Sequence, residues 1–89
     1  PTEVKGTVSA SEAAGFKVYQ ARCMGCHTIG NGPLLGPDLL GSHTKSAEVL
    51  TVMTGLMRLT RDVEISDEEV KQVVDFLRRE DAPALLYAK

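Results

Sequence analysis

The stretch Tyr19-Gln20-Ala21-Arg22-Cys23-Met24-Gly25-Cys26-His27 decides how this chain is read. Two thiols stand two residues apart, and an imidazole follows the second directly, the C-x-x-C-H pattern. Upstream, Ser9-Ala10-Ser11-Glu12 has the form of a capping box, with Ser at the N-cap and Glu three residues on. Ala13, Phe16, Tyr19 and Ala21 then recur at near-helical spacing, which predicts a helix over about 10–22 that runs into the cysteines. Downstream the character reverses. Gly30, Gly32, Pro33, Gly36, Pro37 and Gly41 exclude regular structure of any length, yet Leu34, Leu35, Leu39 and Leu40 are too apolar for a solvated loop. Such a loop needs an apolar body to lie against.

Past the loop, Val49, Leu50, Val52 and Met53 form the apolar face of a helix over about 45–54, with Thr44 as its cap and Gly55 as its C-terminal stop. Residues 56–65 show no clear period and read as a loop. Ser66-Asp67-Glu68-Glu69 is a second capping box, its acids placed where the helix dipole favours them. Val70, Val73, Val74 and Leu77 then share one face of a helix over about 67–80, closed by Arg78 and Arg79. The tail 82–89 opens on a Pro break, and its Leu85, Leu86 and Tyr87 are expected to pack back on the body. With no repeat, low-complexity tract or linker, the expectation is an all-α fold of three main helices and wrapping loops. It forms one domain over residues 1–89, with a core at about 9–80.

Eighty-nine residues bury a limited apolar core, and a chain of that size often needs a disulfide, metal or cofactor as a staple. Only four aromatic residues are present and Trp is absent, while the apolar fraction of 43% is too high for a disordered chain. A core of this kind has room for a large flat group that is not an amino acid. The formal charge of −2 removes the basic footprint of a nucleic-acid binder. No apolar run is long enough to span a bilayer. Residues 1–9 carry neither the charged nor the apolar region of a signal peptide, so the chain is either cytoplasmic or has lost a leader.

Cysteines at this spacing serve a redox disulfide, half a zinc site or a haem attachment. The redox reading expects a βαβ context, which is missing. A zinc site would need His27 and His43 to complete its four ligands, at no finger-like spacing. Haem attachment explains the whole pattern: two thiols reach the two vinyl groups on one edge of a porphyrin, and the next residue brings an imidazole under the iron. Cys23, Cys26 and His27 are therefore the candidate haem c site, with one haem held by two thioethers.

From about residue 9 to 80 the chain resembles the small class I cytochromes c. In that family a glycine eight residues before the first Cys and an aromatic four before it lie on the N-terminal helix, positions held here by Gly15 and Tyr19. An aromatic-Leu pair of the last helix packs on that glycine, which matches Phe76-Leu77. Gly36-Pro37-Asp38-Leu39-Leu40-Gly41 resembles the family's Gly-Pro-x-Leu segment. The resemblance implies that the Pro37 carbonyl accepts the second N–H of His27, with Pro33 as the other candidate. It also implies a methionine on the far side of the iron from the loop before the last helix. That methionine is Met57, with Met53, His43 or an open position as the alternatives. Two departures stand out: Arg58 occupies the place of the usual proline after the ligand, and the His27–Met57 separation is short. Arg58 and Arg61 are candidate partners for the haem carboxylates.

The family implies single-electron transfer between redox partner proteins, without catalysis. Glu64, Asp67, Glu68 and Glu69 read as helix-start charges or as a docking patch. The alternatives are a gas-binding module, marked by an open sixth position, and a small subunit of a larger oxidoreductase, marked by exposed apolar surface at Leu85, Leu86 and Tyr87. Thioether attachment in this family is completed outside the cytoplasm, which implies a periplasmic mature form after removal of a leader.

Overall fold

Two capping boxes start two of the helices. Ser9 accepts the Glu12 amide at 3.1 Å while the Glu12 carboxylate accepts the Ser9 amide at 2.8 Å. Ser66 and Glu69 repeat the exchange at 3.1 and 3.0 Å. These orphan N–H groups are satisfied locally, so both helices begin where the sequence places them. The computed structural model describes residues 7–32, 34, 36 and 38–87, less the side chains of Leu86 and Tyr87. Its α-helices are α1 (Ala10–Val18), α2 (Ala47–Thr60), α3 (Asp67–Leu77) and α4 (Ala82–Tyr87), with a π turn at Tyr19–Cys23 and a 3₁₀ turn at Ser42–Thr44. No strand occurs among the described residues, and the fold is all-α as expected.

α1 crosses α3 at Gly15. A Cβ there would overlap the Gln72 carbonyl and stand 2.9 Å from the Phe76 Cβ, so a side chain is excluded by backbone and not by a movable neighbour. On either side of the crossing Phe76 meets Phe16 and Tyr19, with ring centroids 5.4 and 5.7 Å apart. Tyr19 and Phe76 are wholly buried, which contributes roughly 2–3 kcal/mol each. Ser11 adds a hydrogen bond across the same interface, donating to Asp75 at 2.6 Å. The pairing of Gly15 with the Phe76 region is thus as the sequence led one to expect.

Other elements differ from expectation. α2 is capped by Ser46 rather than Thr44, and it runs through Gly55 to Thr60. Open space surrounds Gly55, so its presence costs the helix only about 1 kcal/mol, and Leu50 anchors the element in the core. Residues 56–60 are therefore helix, not loop. α3 stops at Leu77. Arg79 is not a free basic end: its guanidinium grips the Asp81 carboxylate with two 2.6 Å hydrogen bonds and reaches Glu12 at 3.0 Å. These side chains are almost fully buried at the Arg79–Asp81 pair, and they tie the start of α1 to the α3–α4 link. The tail forms α4, with Ala82 and Ala84 buried and Leu85 packed on the core.

Candidate functional site

The site grows out of the end of α1. At the π turn the Met24 amide reaches back five residues to the Tyr19 carbonyl at 2.9 Å, and the Cys26 and His27 amides then both close on the Cys23 carbonyl, at 3.0 and 2.9 Å. The C-x-x-C-H segment is thereby coiled into a compact turn. Tyr19 pins its far end, donating from the phenol to the His27 carbonyl at 3.0 Å. Cys23 is buried and Cys26 exposed. Burial, with a smaller push from Cys26, raises the Cys23 thiol to about 11. A catalytic dithiol needs its attacking sulfur pulled the other way, so the redox-disulfide reading has no support here.

The loop after the motif folds back over His27. Gly36 donates its amide to the Cys26 carbonyl at 2.7 Å, and Leu39 donates to the Thr28 carbonyl at 2.8 Å. A Cβ on Gly36 would collide with the imidazole, standing 2.6 Å from Nδ1 and 2.7 Å from Nε2. Only glycine lets the loop backbone lie this close to the ring. Asp38 closes the loop from within: its carboxylate accepts the amides of Gly30 at 2.7 Å, Gly32 at 2.8 Å and Leu40 at 2.9 Å. The bond from Gly30, then those from Leu40 and Gly32, hold the Asp38 carboxyl below the usual carboxylate range. Asp38 escaped the sequence reading. The available signal was an acid eight and six residues after two glycines, Gly30 and Gly32, which adopt positive φ (102° and 87°) and donate their amides to it.

Cys23, Cys26 and His27 line a cavity of about 660 Å³. α2 supplies another wall with Leu50, Met53, Thr54 and Met57, while Val73 and Leu77 of α3 and Leu39 and Leu40 of the loop complete the apolar lining. Met57 thus belongs to a helix and not to the expected loop, and Met53 lies one turn before it on the same face. Arg61 borders the cavity as expected, but Arg58 does not: it donates to the Ile65 carbonyl at 3.1 Å and pairs with Asp67 at 2.8 Å. Arg22 and Lys45 also border the cavity and were not foreseen. His43 is exposed and lies off this lining. Pro37 and Pro33 fall outside the described residues, as does Leu35.

These features fit a haem. The volume is that of a cofactor site, the lining is mostly apolar, two thiols share one short turn, and imidazole nitrogen and thioether sulfur are the donor types that hold haem iron. The space in front of Gly36 takes an imidazole and nothing larger than hydrogen on the facing backbone. No curated protein and no solved structure matches the chain. A family model does, described as cytochrome C oxidase, cbb3-type, subunit III, over residues 10–77. That span runs from the first residue of α1 to the last of α3, taking in the C-x-x-C-H turn and both methionines of α2. With the all-α fold, the apolar cavity at the C-x-x-C-H turn and this match together, the chain belongs to the cbb3-type oxidase subunit III family, a family of class I c-type cytochromes with covalently bound haem c.

Proposed function

We propose that the chain is a one-electron carrier in which Cys23 and Cys26 hold the haem by thioethers and His27 and Met57 hold its iron. The observation that carries this is the placement of the C-x-x-C-H turn and Met57 on different walls of one apolar cavity. Haem c supplies a reversible one-electron couple when bound. The protein's own work is positional. Gly36 and the bonded loop fix the His27 ring, and the Pro37 carbonyl is the proposed acceptor for its second N–H. Helix α2 presents the Met57 sulfur from a rigid element, and Leu50, Val73 and Leu77 keep water from the ring, which favours the less charged reduced state. No group for substrate chemistry is needed in this role, and the partners are an electron donor and an electron acceptor. Covalent attachment of this kind fits an extracytoplasmic, periplasmic mature protein. No helix among the described residues is long and apolar enough to cross a membrane.

A second reading, a subunit of a larger oxidase, is supported by the family match and by α2 itself. Val49, Val52, Leu56 and Leu59 form an exposed apolar stripe along that helix. Leu85, expected to mark such a surface, is packed on the core instead; the side chains of Leu86 and Tyr87 lie outside the described residues. A diffusible carrier leaves cells on osmotic shock, whereas a subunit stays with the membrane-bound enzyme.

The ligand assignment is tested on the haem-loaded protein. Met57→Ala abolishes the sulfur–iron charge-transfer band of the oxidised state, lowers the potential and opens the reduced state to carbon monoxide, while Met53→Ala leaves the band in place. The reverse pattern would move the ligand to Met53. An intact mass equal to the bare polypeptide would end the haem reading altogether.

A further inference from the structure

We infer that Tyr19 is a positioning residue for the proximal ligand: its hydroxyl holds the backbone of His27 in place and so fixes the plane of the imidazole. The inference rests on the haem reading above, in which His27 binds the iron. It gives the phenol a task that packing does not require.

Packing at the α1–α3 crossing is complete without the hydroxyl. The Tyr19 ring is wholly enclosed and meets Phe76, with centroids 5.7 Å apart, and a phenylalanine would fill that place as well. Phe16 meets the same partner at 5.4 Å without any polar atom. A phenol O–H carried into such a site loses its water, and this costs stability unless a protein acceptor replaces it. The acceptor is the His27 carbonyl, at 3.0 Å. In a continued α-helix, residues eight apart are separated by about 12 Å along the axis. The π turn at Tyr19–Cys23 and the tight turn after it, where the Cys26 and His27 amides both close on the Cys23 carbonyl, bring the two groups into contact.

Three successive carbonyls are held around the ligand. Those of Cys26 and Thr28 accept the amides of Gly36 and Leu39, at 2.7 and 2.8 Å, and so tie the turn to the loop that folds over the imidazole. The carbonyl between them, on His27 itself, accepts from Tyr19. Gly36 faces the ring so closely that a Cβ would stand 2.6 Å from Nδ1, so the loop limits where the ring can go. Loop and ligand could still shift together. Tyr19 prevents that, because its ring belongs to the crossing, where Gly15 meets the Gln72 backbone and Phe76 is enclosed. Its bond refers the position of His27 to the packing of α1 on α3. Partners one bond removed from a metal ligand set its orientation in this way.

The test uses the haem-loaded protein and its Tyr19→Phe variant, which keeps the ring and loses only the hydroxyl. In the oxidised state the plane of an axial imidazole decides how unpaired spin spreads over the porphyrin, so the proton NMR shifts of the haem methyl groups report that plane. Tyr19→Phe moves these shifts and alters their spread. Ser11→Ala removes a different hydrogen bond of the same crossing, the one donated to Asp75 at 2.6 Å. It loosens α1 against α3 but leaves the methyl pattern at its wild-type positions. A haem-loaded Tyr19→Phe protein with the wild-type pattern would overturn the assignment, and so would an equal displacement in Ser11→Ala. The reduced wild type gives an independent reading, since the Tyr19 hydroxyl proton is protected from exchange with water. Rapid exchange there overturns the proposal even where the variant does not fold. A wild-type chain with the mass of the bare polypeptide is a separate result, and it sinks the haem reading before any variant is compared.

Discussion

The α1–α3 crossing and the α2 wall are built from similar apolar residues and behave oppositely. At the crossing, protein meets protein: Gly15 touches the Gln72 backbone, and Tyr19 and Phe76 are fully enclosed. Along α2 only Leu50 is buried, while Met53, Leu56 and Leu59 are exposed or turned to the cavity. One half of the molecule is complete in its own side chains, and the other is shaped around a group the polypeptide does not supply. For a chain of 89 residues this division is economical, because a bound cofactor contributes core that the sequence cannot.

The comparison is broken most directly by removing the attachment. In Cys23→Ala/Cys26→Ala, cooperative unfolding is lost, protection from hydrogen exchange falls first and furthest in α2, and the residual protection resides in α1 and α3. Equal loss in all three helices would show that the crossing has no independent stability. The next largest effect comes from the other half. Gly15→Ala forces the helices apart and costs about 3 kcal/mol in a denaturant titration; a cost under about 0.5 kcal/mol would mean that the crossing yields without strain.

Asp38→Asn probes the loop that closes the cofactor side. The folded pKa of Asp38 lies below its unfolded value, so its contribution is present above the unfolded value of about 3.9 and is lost as pH falls through the folded one. The variant therefore unfolds at lower denaturant than wild type at pH 7, and the gap closes in acid below that range. A gap independent of pH would assign the effect to something other than the carboxylate. The smallest effect is expected at Asp67→Asn, where the pair with Arg58 is exposed on the acid side and contributes about 0.5 kcal/mol. A loss of several times that would make the Arg58 contact a true brace between α2 and α3.

The half that is complete in itself was also the half legible in the sequence. Ser9/Glu12 and Ser66/Glu69 announce their helices through bonds made within four residues, and Gly15 with Phe76 follows from the family pattern. The cofactor half is governed by longer-range terms. Gly55 reads as a stop because local propensity is all that a sequence shows, whereas the burial of Leu50 carries the helix past it. Arg58 was matched to the haem carboxylates, but its partner Asp67 stands nine residues on and comes into reach only when α2 turns into α3. Asp38 was invisible for the same reason, since it matters through amides the fold brings to it. Cys23, Cys26, His27 and Met57 were all named in advance, and they line one cavity.

The π turn at Tyr19–Cys23 has a consequence for angular phase. In an unbroken α-helix each residue advances about 100°, so positions four apart drift by about 40° and positions eight apart by about 80°. Gly15, Tyr19 and Cys23 are spaced in that way, yet all three are buried. A wider turn advances less per residue and cancels the drift, so one inward-facing line carries the glycine that admits α3, the ring that pins His27 and the first thiol. The extra residue in that turn thus acts as a correction of helical phase. It lets a single strip of the surface serve both the protein-packed half and the cofactor-packed half of the molecule.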